Sequence, residues 1–296
     1  MLERLERLGG LAPGLVRGLV GAARVDALRA RLQATSSKRL DVVAAQVAHL
    51  LHLSRVDVRG RVCLELGAGR VLTHALVWHL LGARAVIATD LEPQAHLPAL
   101  RAAVASATLS IARDVLSPFE DHEVLRERLL RLERLVSGRL VPETLRDLGV
   151  EYVAPLDLAR RRLGRPVDLV ASNSVLEHVP ADDVEPLLAN VATDLAPGGV
   201  MLHAIHLEDH LDPARAPFRF LAERPFPPGE QGQRGNRLRA SEWRRRVAAL
   251  PGLETRDLYA WRRDAALLPR DVDPAVAHEG PDDLRTSHLA LVSVRA

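Results

Sequence analysis

The apolar residues of this chain form two kinds of segment that alternate along most of its length. Short unbroken apolar runs without a helical period are typical of strands buried on both faces of a parallel sheet. Longer segments between them carry apolar residues at helical spacing, and glycine or proline often separates the two kinds. Strands are predicted at residues 62–66, 84–89, 151–154, 166–171, 200–205, 253–260 and 288–294. We therefore predict an α/β fold with a Rossmann-like, seven-stranded, mainly parallel sheet and helices on both faces.

Two helical additions accompany this alternating pattern. Residues 1–58 carry leucine and valine at helical spacing, which predicts an N-terminal helical extension of a main domain at 59–296. Residues 110–148 predict a helical insertion before the third strand, because leucines recur among arginines and glutamates. Residues 206–240 are rich in proline, glycine and arginine. A long segment of this kind at the carboxyl edge of a sheet is typical of a substrate-binding loop.

Composition and charge exclude some classes of protein. The chain is 47% hydrophobic but only 3% aromatic, so the core is expected to consist of leucine, valine and alanine. The 40 basic and 38 acidic residues nearly cancel, so the overall charge does not indicate a nucleic-acid partner. Cys63 is the only cysteine and lies in the first predicted strand. No intrachain disulfide can form, and we expect a cytoplasmic protein.

The N-terminal segment bears on membrane association. Its apolar stretch from Leu11 to Val25 is interrupted by Pro13, Arg17 and Arg24. A signal peptide or a membrane span needs a longer or cleaner apolar run. We expect no transmembrane segment, although the N-terminal helices could cover a ligand cleft or make a peripheral membrane contact. The sequence does not indicate an oligomeric state.

A glycine-rich turn follows the first predicted strand, in the stretch RVCLELGAGR at 61–70. Glycines at a strand-to-helix turn permit a tight bend and let a ligand approach the backbone, because no Cβ intrudes. A dinucleotide-binding turn has the pattern G-x-G-x-x-G, and Leu72 stands where its third glycine would be. The turn therefore points away from NAD. Glu65, just before Gly67 and Gly69, would repel a pyrophosphate and could pair with an ammonium group.

An acidic residue ends the second predicted strand. In a doubly wound sheet, ligands bind beyond the carboxyl ends of the strands. Asp90 is therefore expected to face the ligand, where its carboxylate can accept hydrogen bonds from both hydroxyls of a ribose.

Four blocks, in this order, resemble the motifs of class I S-adenosylmethionine (SAM)-dependent methyltransferases. They are the E-x-G-x-G of residues 65–69, the strand ending in Asp90, the third strand followed by Asp157, and DLVASNSVLEHVP at 168–180. The segment LAPGGVMLHAI at 195–205 also matches that family. The resemblance implies SAM as cofactor, with Glu65 on its amino group, Asp90 on its ribose and Asp157 on its adenine. The implied cofactor-binding residues are Glu65, Gly67, Ala68, Gly69, Asp90, Leu91, Asp157, Leu158, Asn173 and Ser174.

Candidate catalytic groups follow the fourth and fifth strands. Methyl transfer from a sulfonium is an in-line displacement, which needs correct positioning and exclusion of water. A hydroxyl acceptor also needs a general base, and histidine can supply one near neutral pH. In the small-molecule and sugar O-methyltransferases that the fourth block resembles, a histidine at the position of His178 acts as the base. The predicted catalytic residues are His178, His206, Asp209 and His210.

Several neighbouring residues have more than one interpretation. Asp209 could orient a histidine or accept a hydrogen bond from the acceptor. A weaker likeness to bacterial methyltransferases of unassigned acceptor places Asn236 and Arg237 around the acceptor pocket. His203, in the middle of a strand, is expected in the core. The acids and histidines near Glu208 could also bind a divalent metal, but no ligand spacing is recognisable and no metal is predicted.

These observations predict a SAM-dependent methyltransferase acting on a hydroxyl of a small-molecule or glycosyl acceptor. An RNA or protein methyltransferase is one alternative. It would be favoured by a basic groove lined with aromatic side chains, whereas the chain has only three tryptophans and no cluster of stacking residues in its sequence. A module that binds SAM without catalysis is the other alternative. No nucleic-acid partner is expected.

Overall fold

The computed structural model describes residues 38–138, 142–222 and 234–296. The strands are β1 (Val62–Glu65), β2 (Ala85–Thr89), β3 (Val150–Val153), β4 (Val167–Asn173), β5 (Leu195–His206), β6 (Leu253–Arg262) and β7 (Thr286–Arg295). The helices are α1 (Leu40–Ser54), α2 (Thr73–Leu80), α3 (Leu97–Ala105), α4 (Leu109–Leu116), α5 (His122–Ser137), α6 (Pro142–Asp147), α7 (Ala181–Asp194), α8 (Ala240–Ala248) and α9 (Pro281–Leu284). Short 3₁₀ turns cover Leu176–His178, Arg219–Leu221 and Ala265–Leu267.

The strands form one sheet in the order β3-β2-β1-β4-β5-β7-β6. Strands β1 to β5 run parallel, whereas β7 pairs antiparallel with β5 and with β6. The predicted seven-stranded, mainly parallel, Rossmann-like sheet is confirmed. Strand β5 begins at Leu195, earlier than predicted, because Leu195 already pairs with Val167 before the register shifts next to the glycines of the turn.

Helices cover both faces of the sheet. Consecutive residues of β1 point to opposite faces, so that Cys63 packs in one hydrophobic core and Leu64 in the other. Burial raises the pKa of the Cys63 thiol to about 12, as expected of an unreactive structural cysteine. The predicted insertion also belongs to the first core, because its helix α5 buries Leu125 and Leu129 there.

Helix α1 is the described part of the predicted N-terminal extension, and it packs on the first core through Val43 and Val47. The predicted helices within residues 1–37, and residues 223–233 of the predicted substrate loop, lie outside the described residues. Within the described ranges, the helices are all too short or too polar to cross a membrane.

The order of the strands fixes where a ligand can bind. Strand β1 lies inside the sheet, with β2 on one side and β4 on the other, so that the chain reverses its direction of winding between β1 and β4. The loops after these two strands leave in opposite directions and open a crevice at their carboxyl ends. The glycine turn after β1, Asp90 after β2 and the segment from Ser174 to His178 after β4 all line a cavity there.

Candidate active site

The glycine turn and Asp90 are joined by hydrogen bonds at the carboxyl end of β1. The backbone of Gly67 and Gly69 has φ of +60° and +62°, in the left-handed region that favours glycine. The Gly69 N–H donates to Asp90 Oδ2 at 2.8 Å, and the Ala68 N–H donates to the Thr89 carbonyl at 2.9 Å. The turn is therefore fixed against the end of β2, and Asp90 retains acceptor capacity on its other oxygen, 3.5 Å from Gln94 Nε2.

The crevice has two parts that meet at Gly67. The first is a cavity of about 370 Å³ along the glycine turn, and the second is a cavity of about 280 Å³ beyond β2 and β3. Gly67, Asp90, Val175 and His178 line both. A Cβ at residue 67 would lie 2.6 Å from Val175 Cγ1, so only glycine fits beneath that side chain. Together the two cavities form one bent cleft, named here the cofactor cleft.

Nine of the ten predicted cofactor-binding residues line this cleft. The first cavity includes Gly67, Ala68, Gly69, Asp90, Asn173 and Ser174, and the second adds Leu91, Asp157 and Leu158. Leu91 is 61% exposed, which leaves a large apolar side chain uncovered beside the second cavity. Asp157 Oδ1 accepts a hydrogen bond from the Ala159 N–H at 2.9 Å. The motifs therefore converge on one cleft although they are distant in sequence.

Glu65 lies behind the glycine turn instead of on the wall of the cleft. Its side chain is 2% exposed, and its Oε2 accepts a hydrogen bond of 2.6 Å from Trp78 Nε1. Burial raises the pKa of Glu65 to about 8, although the Trp78 hydrogen bond and the charge of Lys38 act in the opposite direction. The structure thus keeps Glu65 out of direct contact with a ligand in the cleft, contrary to the expectation that it pairs with an ammonium group.

Lys38 is a cleft residue that sequence reasoning missed. It lines the first cavity beside the glycine turn. Burial lowers the pKa of Lys38, and the carboxylates of Glu65 and Glu177 partly oppose that effect. Every other basic residue of the chain except histidine is arginine, so the only sequence signal for Lys38 is that it is the single lysine.

Four histidines form a row along the carboxyl edge of the sheet. The ring centroids of His178 and His210 are 4.6 Å apart, those of His210 and His206 are 4.5 Å apart, and those of His206 and His288 are 4.4 Å apart. Burial lowers the pKa of His210 to about 3 and that of His288 to about 4. Three of the four predicted catalytic residues thus come together in one row, and only His178 of these lines the cofactor cleft.

Asp209, the fourth predicted catalytic residue, is engaged elsewhere. Its Oδ2 lies 2.9 Å from Arg234 Nη1, and its Oδ1 accepts a hydrogen bond from the Leu211 N–H. The structure does not bring its carboxylate against the histidine row. Asn236 instead supports the row from behind, because its Nδ2 donates to the carbonyls of Leu176 and Val179, on either side of His178. His203 lies in the core, with its Nδ1 2.8 Å from Ser172 Oγ.

Two groups of potential metal ligands occur along the row among the described residues. Glu177, His178 and His210 form the first, and His206, Glu208 and His288 form the second, with the ligand atoms of each within 4.8 Å of one another. In the second group, the negative charge of Glu208 is already balanced by an ion pair with Arg263. Burial alone would raise its pKa, but hydrogen bonds from His206 at 2.8 Å and Arg263 at 2.6 Å lower it to about 2.

A further cavity of about 640 Å³ adjoins the cofactor cleft and shares Asn173 and Ser174 with it. Helix α1 forms one wall, and Tyr259, Trp261 and His288 of β6 and β7 form another. The sequence predicted no cluster of stacking residues, and this was wrong, because antiparallel pairing of β6 with β7 sets Trp261 opposite His288. The alternation of Tyr259 and Trp261 along β6 was the signal.

Comparisons with known proteins found solved structures of low similarity. No family model and no curated protein matches the chain. A SAM-dependent methyltransferase from Mesorhizobium loti is 20% identical over 84% of this chain and 98% of its own, with a TM-score of 0.46. A putative one from Listeria monocytogenes is 13% identical over 85% and 99%, with a TM-score of 0.45. The 1,6-didemethyltoxoflavin-N1-methyltransferase of Burkholderia thailandensis is 14% identical over 97% and 91%, with a TM-score of 0.44. Similarity this distant does not assign an activity to the chain.

Proposed function

We propose that this protein is a SAM-dependent methyltransferase that transfers a methyl group to a hydroxyl of a small-molecule acceptor. The observation that carries the proposal is the bent cleft at the crevice between β1 and β4. It is lined by the glycine turn after β1, by Asp90 after β2, and by Asn173 and Ser174 at the end of β4. A dinucleotide site would need a third glycine where the chain has Leu72, which is buried.

The residues of the cleft fit the parts of SAM. Asp90, fixed by the Gly69 N–H, would accept hydrogen bonds from the ribose hydroxyls. The second cavity would take the adenine, with the exposed Leu91 covering one face of the ring and Asp157 at its edge. The first cavity would take the amino-acid end, next to Lys38. When bound, SAM supplies a methyl group on a positively charged sulfur.

The residues at and after the end of β4 would position the acceptor and remove its proton. Asn173 and Ser174 stand where the cofactor cleft meets the adjoining cavity, which would direct an acceptor hydroxyl toward the methyl group. His178 lines the cleft beside them, and we assign it the role of the base that takes the hydroxyl proton. Val175 and the glycine turn close over the same point and would exclude water.

Incubation with methyl-labelled SAM tests this function. Purified protein is mixed with labelled SAM and a metabolite extract, and label is followed in the small-molecule, RNA and protein fractions. We expect label in small molecules, together with S-adenosylhomocysteine. Label confined to RNA or protein would contradict the acceptor class, and bound SAM without any transfer would favour a non-catalytic module.

Lys38 gives a test of how SAM lies in the cleft. If the Lys38 ammonium binds the carboxylate of the amino-acid end, Lys38→Met should lower the affinity for S-adenosylhomocysteine about tenfold, or ~1.4 kcal/mol. 5′-Methylthioadenosine, which lacks the amino-acid group, should bind the variant and the unmodified protein equally well. Calorimetric titration with both ligands makes the comparison. An equal loss for both would mean that Lys38 only supports the fold, and no loss for either would place the carboxylate elsewhere.

A further inference from the structure

The cavity of about 640 Å³ next to the cofactor cleft has an aromatic wall assembled from separate parts of the chain. Tyr259 and Trp261, two residues apart on β6, point to the same face and stack with ring centroids 4.4 Å apart and planes 17° from parallel. His49 of α1 lies 5.5 Å from Tyr259, and His288 of β7 lies 5.5 Å from Trp261, between ring centroids. The four rings face the same cavity. Because the Tyr259 and Trp261 rings stack on each other, the wall offers a ligand their edges and the faces that the stack leaves uncovered.

One of these rings is uncovered. Trp261 is 50% exposed, whereas Trp78 and Trp243, the other two tryptophans of the chain, are 2% and 0% exposed. Ile111, which lines the same cavity from α4, is 49% exposed. Exposed apolar side chains that line a common cavity of this size indicate a ligand site.

The charge of the cavity limits what the ligand can be. Among the described residues, its lining contains no arginine or lysine, although the chain has 40 such residues. The single lining carboxylate, Asp41, is held by Arg39 and by the Thr108 N–H. The described lining therefore offers no arginine or lysine to the phosphates of an RNA acceptor.

Several polar side chains also line the cavity, and some of them are already paired. Asn173 Nδ2 already contacts Gln46 Oε1 at 3.2 Å and His74 Nε2 at 3.0 Å. A glycosyl ring presents a hydroxyl on almost every carbon, and each buried hydroxyl needs a partner. A planar aromatic hydroxy compound needs only one such partner and gains most from stacking surface, which the wall provides.

We infer that this cavity binds the methyl acceptor and that the acceptor is an uncharged, planar aromatic or heteroaromatic hydroxy compound. This rests on the proposed function and narrows it from small molecules in general. The ring would lie against Trp261 and under α1, with its hydroxyl at the opening that Asn173 and Ser174 share with the cofactor cleft.

A matched pair of probes tests the inference without requiring turnover. 2-Naphthol and decahydro-2-naphthol share one carbon skeleton and one hydroxyl, but only the first is planar and aromatic. Each is titrated calorimetrically into the full-length protein with S-adenosylhomocysteine present. We expect 2-naphthol to bind at least tenfold more tightly. A cavity that recognised only apolar surface would prefer the saturated compound, and that order would overturn the inference.

Variants of Trp261 locate the binding site. Trp261→Ala should lower the affinity for 2-naphthol about tenfold. Trp261→Phe keeps a ring and should restore most of that affinity. Leu130→Ala, which removes an exposed apolar side chain on α5 with 43% exposure, is the matched control and should change nothing. Equal affinity in Trp261→Ala and the unmodified protein would overturn the assignment of the site.

Titration with SAM on the same samples separates this inference from the proposed function. If SAM binds and 2-naphthol does not, the aromatic acceptor is wrong and the cofactor assignment stands. If 2-naphthol binds through Trp261 and SAM does not bind, the cavity is an aromatic binding site but the proposed function is wrong. The ligand of the cavity is then not a methyl acceptor.

Discussion

Gly67→Arg should abolish SAM binding. Residue 67 has φ of +60°, a conformation that costs about 1–2 kcal/mol with any L side chain. Its Cβ would lie 2.6 Å from Val175 Cγ1, and the rest of the arginine would extend into the point where both parts of the cofactor cleft meet. Calorimetric titration with SAM should therefore give no heat of binding.

The effect must be separated from unfolding, and Gly198→Arg is the matched control. Gly198 has φ of +70°, and no atom lies within 4 Å of its Cβ position. It sits near the amino-terminal end of β5, whereas the cleft lies at the carboxyl ends of the strands. This variant carries the same backbone strain and should keep its SAM affinity. Circular dichroism checks that both variants fold, and undiminished binding by a folded Gly67→Arg would remove the glycine turn from the site.

His178→Ala should lower turnover by a factor of about 10² to 10⁴ while leaving SAM affinity unchanged. The loss of rate is expected because the acceptor hydroxyl would keep its proton as the methyl group approaches. The affinity is expected to persist because Asp90 and the glycine turn would hold the cofactor. Rate and affinity are measured separately, by formation of S-adenosylhomocysteine and by calorimetry.

Added imidazole distinguishes a base from a structural residue. A missing base can be replaced in part by imidazole in solution, so the rate of His178→Ala should rise with imidazole concentration. A purely structural defect would not respond. Full turnover without His178 would transfer the role to His206 or His210, the other predicted members of the row.

The fold and the cofactor cleft could be predicted because each depends on local sequence. Unbroken apolar runs indicate buried strands. Ligands of such sheets bind beyond the carboxyl ends of the strands, so a glycine or an acid at such an end is a candidate for ligand contact. Gly67, Asp90 and Asp157, which lie at such strand ends, line one cleft. The sequence could not show that the Glu65 side chain is buried against Trp78. In a strand of only four residues, the apolar pattern does not tell whether the last side chain is buried or faces the cleft.

The acceptor side could not be predicted because it depends on contacts between distant segments. Lys38 reaches the cleft from before α1, and the aromatic wall needs the register of β6 and β7 together with α1. The sequence predicts that Asp209 orients a histidine or accepts a hydrogen bond from the acceptor, yet its carboxylate pairs with Arg234. Proximity in sequence shows which polar groups share a loop, but it does not show which of them pair.

The most direct test of the central claim is a calorimetric titration of the unmodified protein with SAM, with NAD titrated in parallel. The account predicts one SAM site per chain and no NAD binding. Binding of NAD in place of SAM, or no heat with SAM from a folded sample, would contradict it.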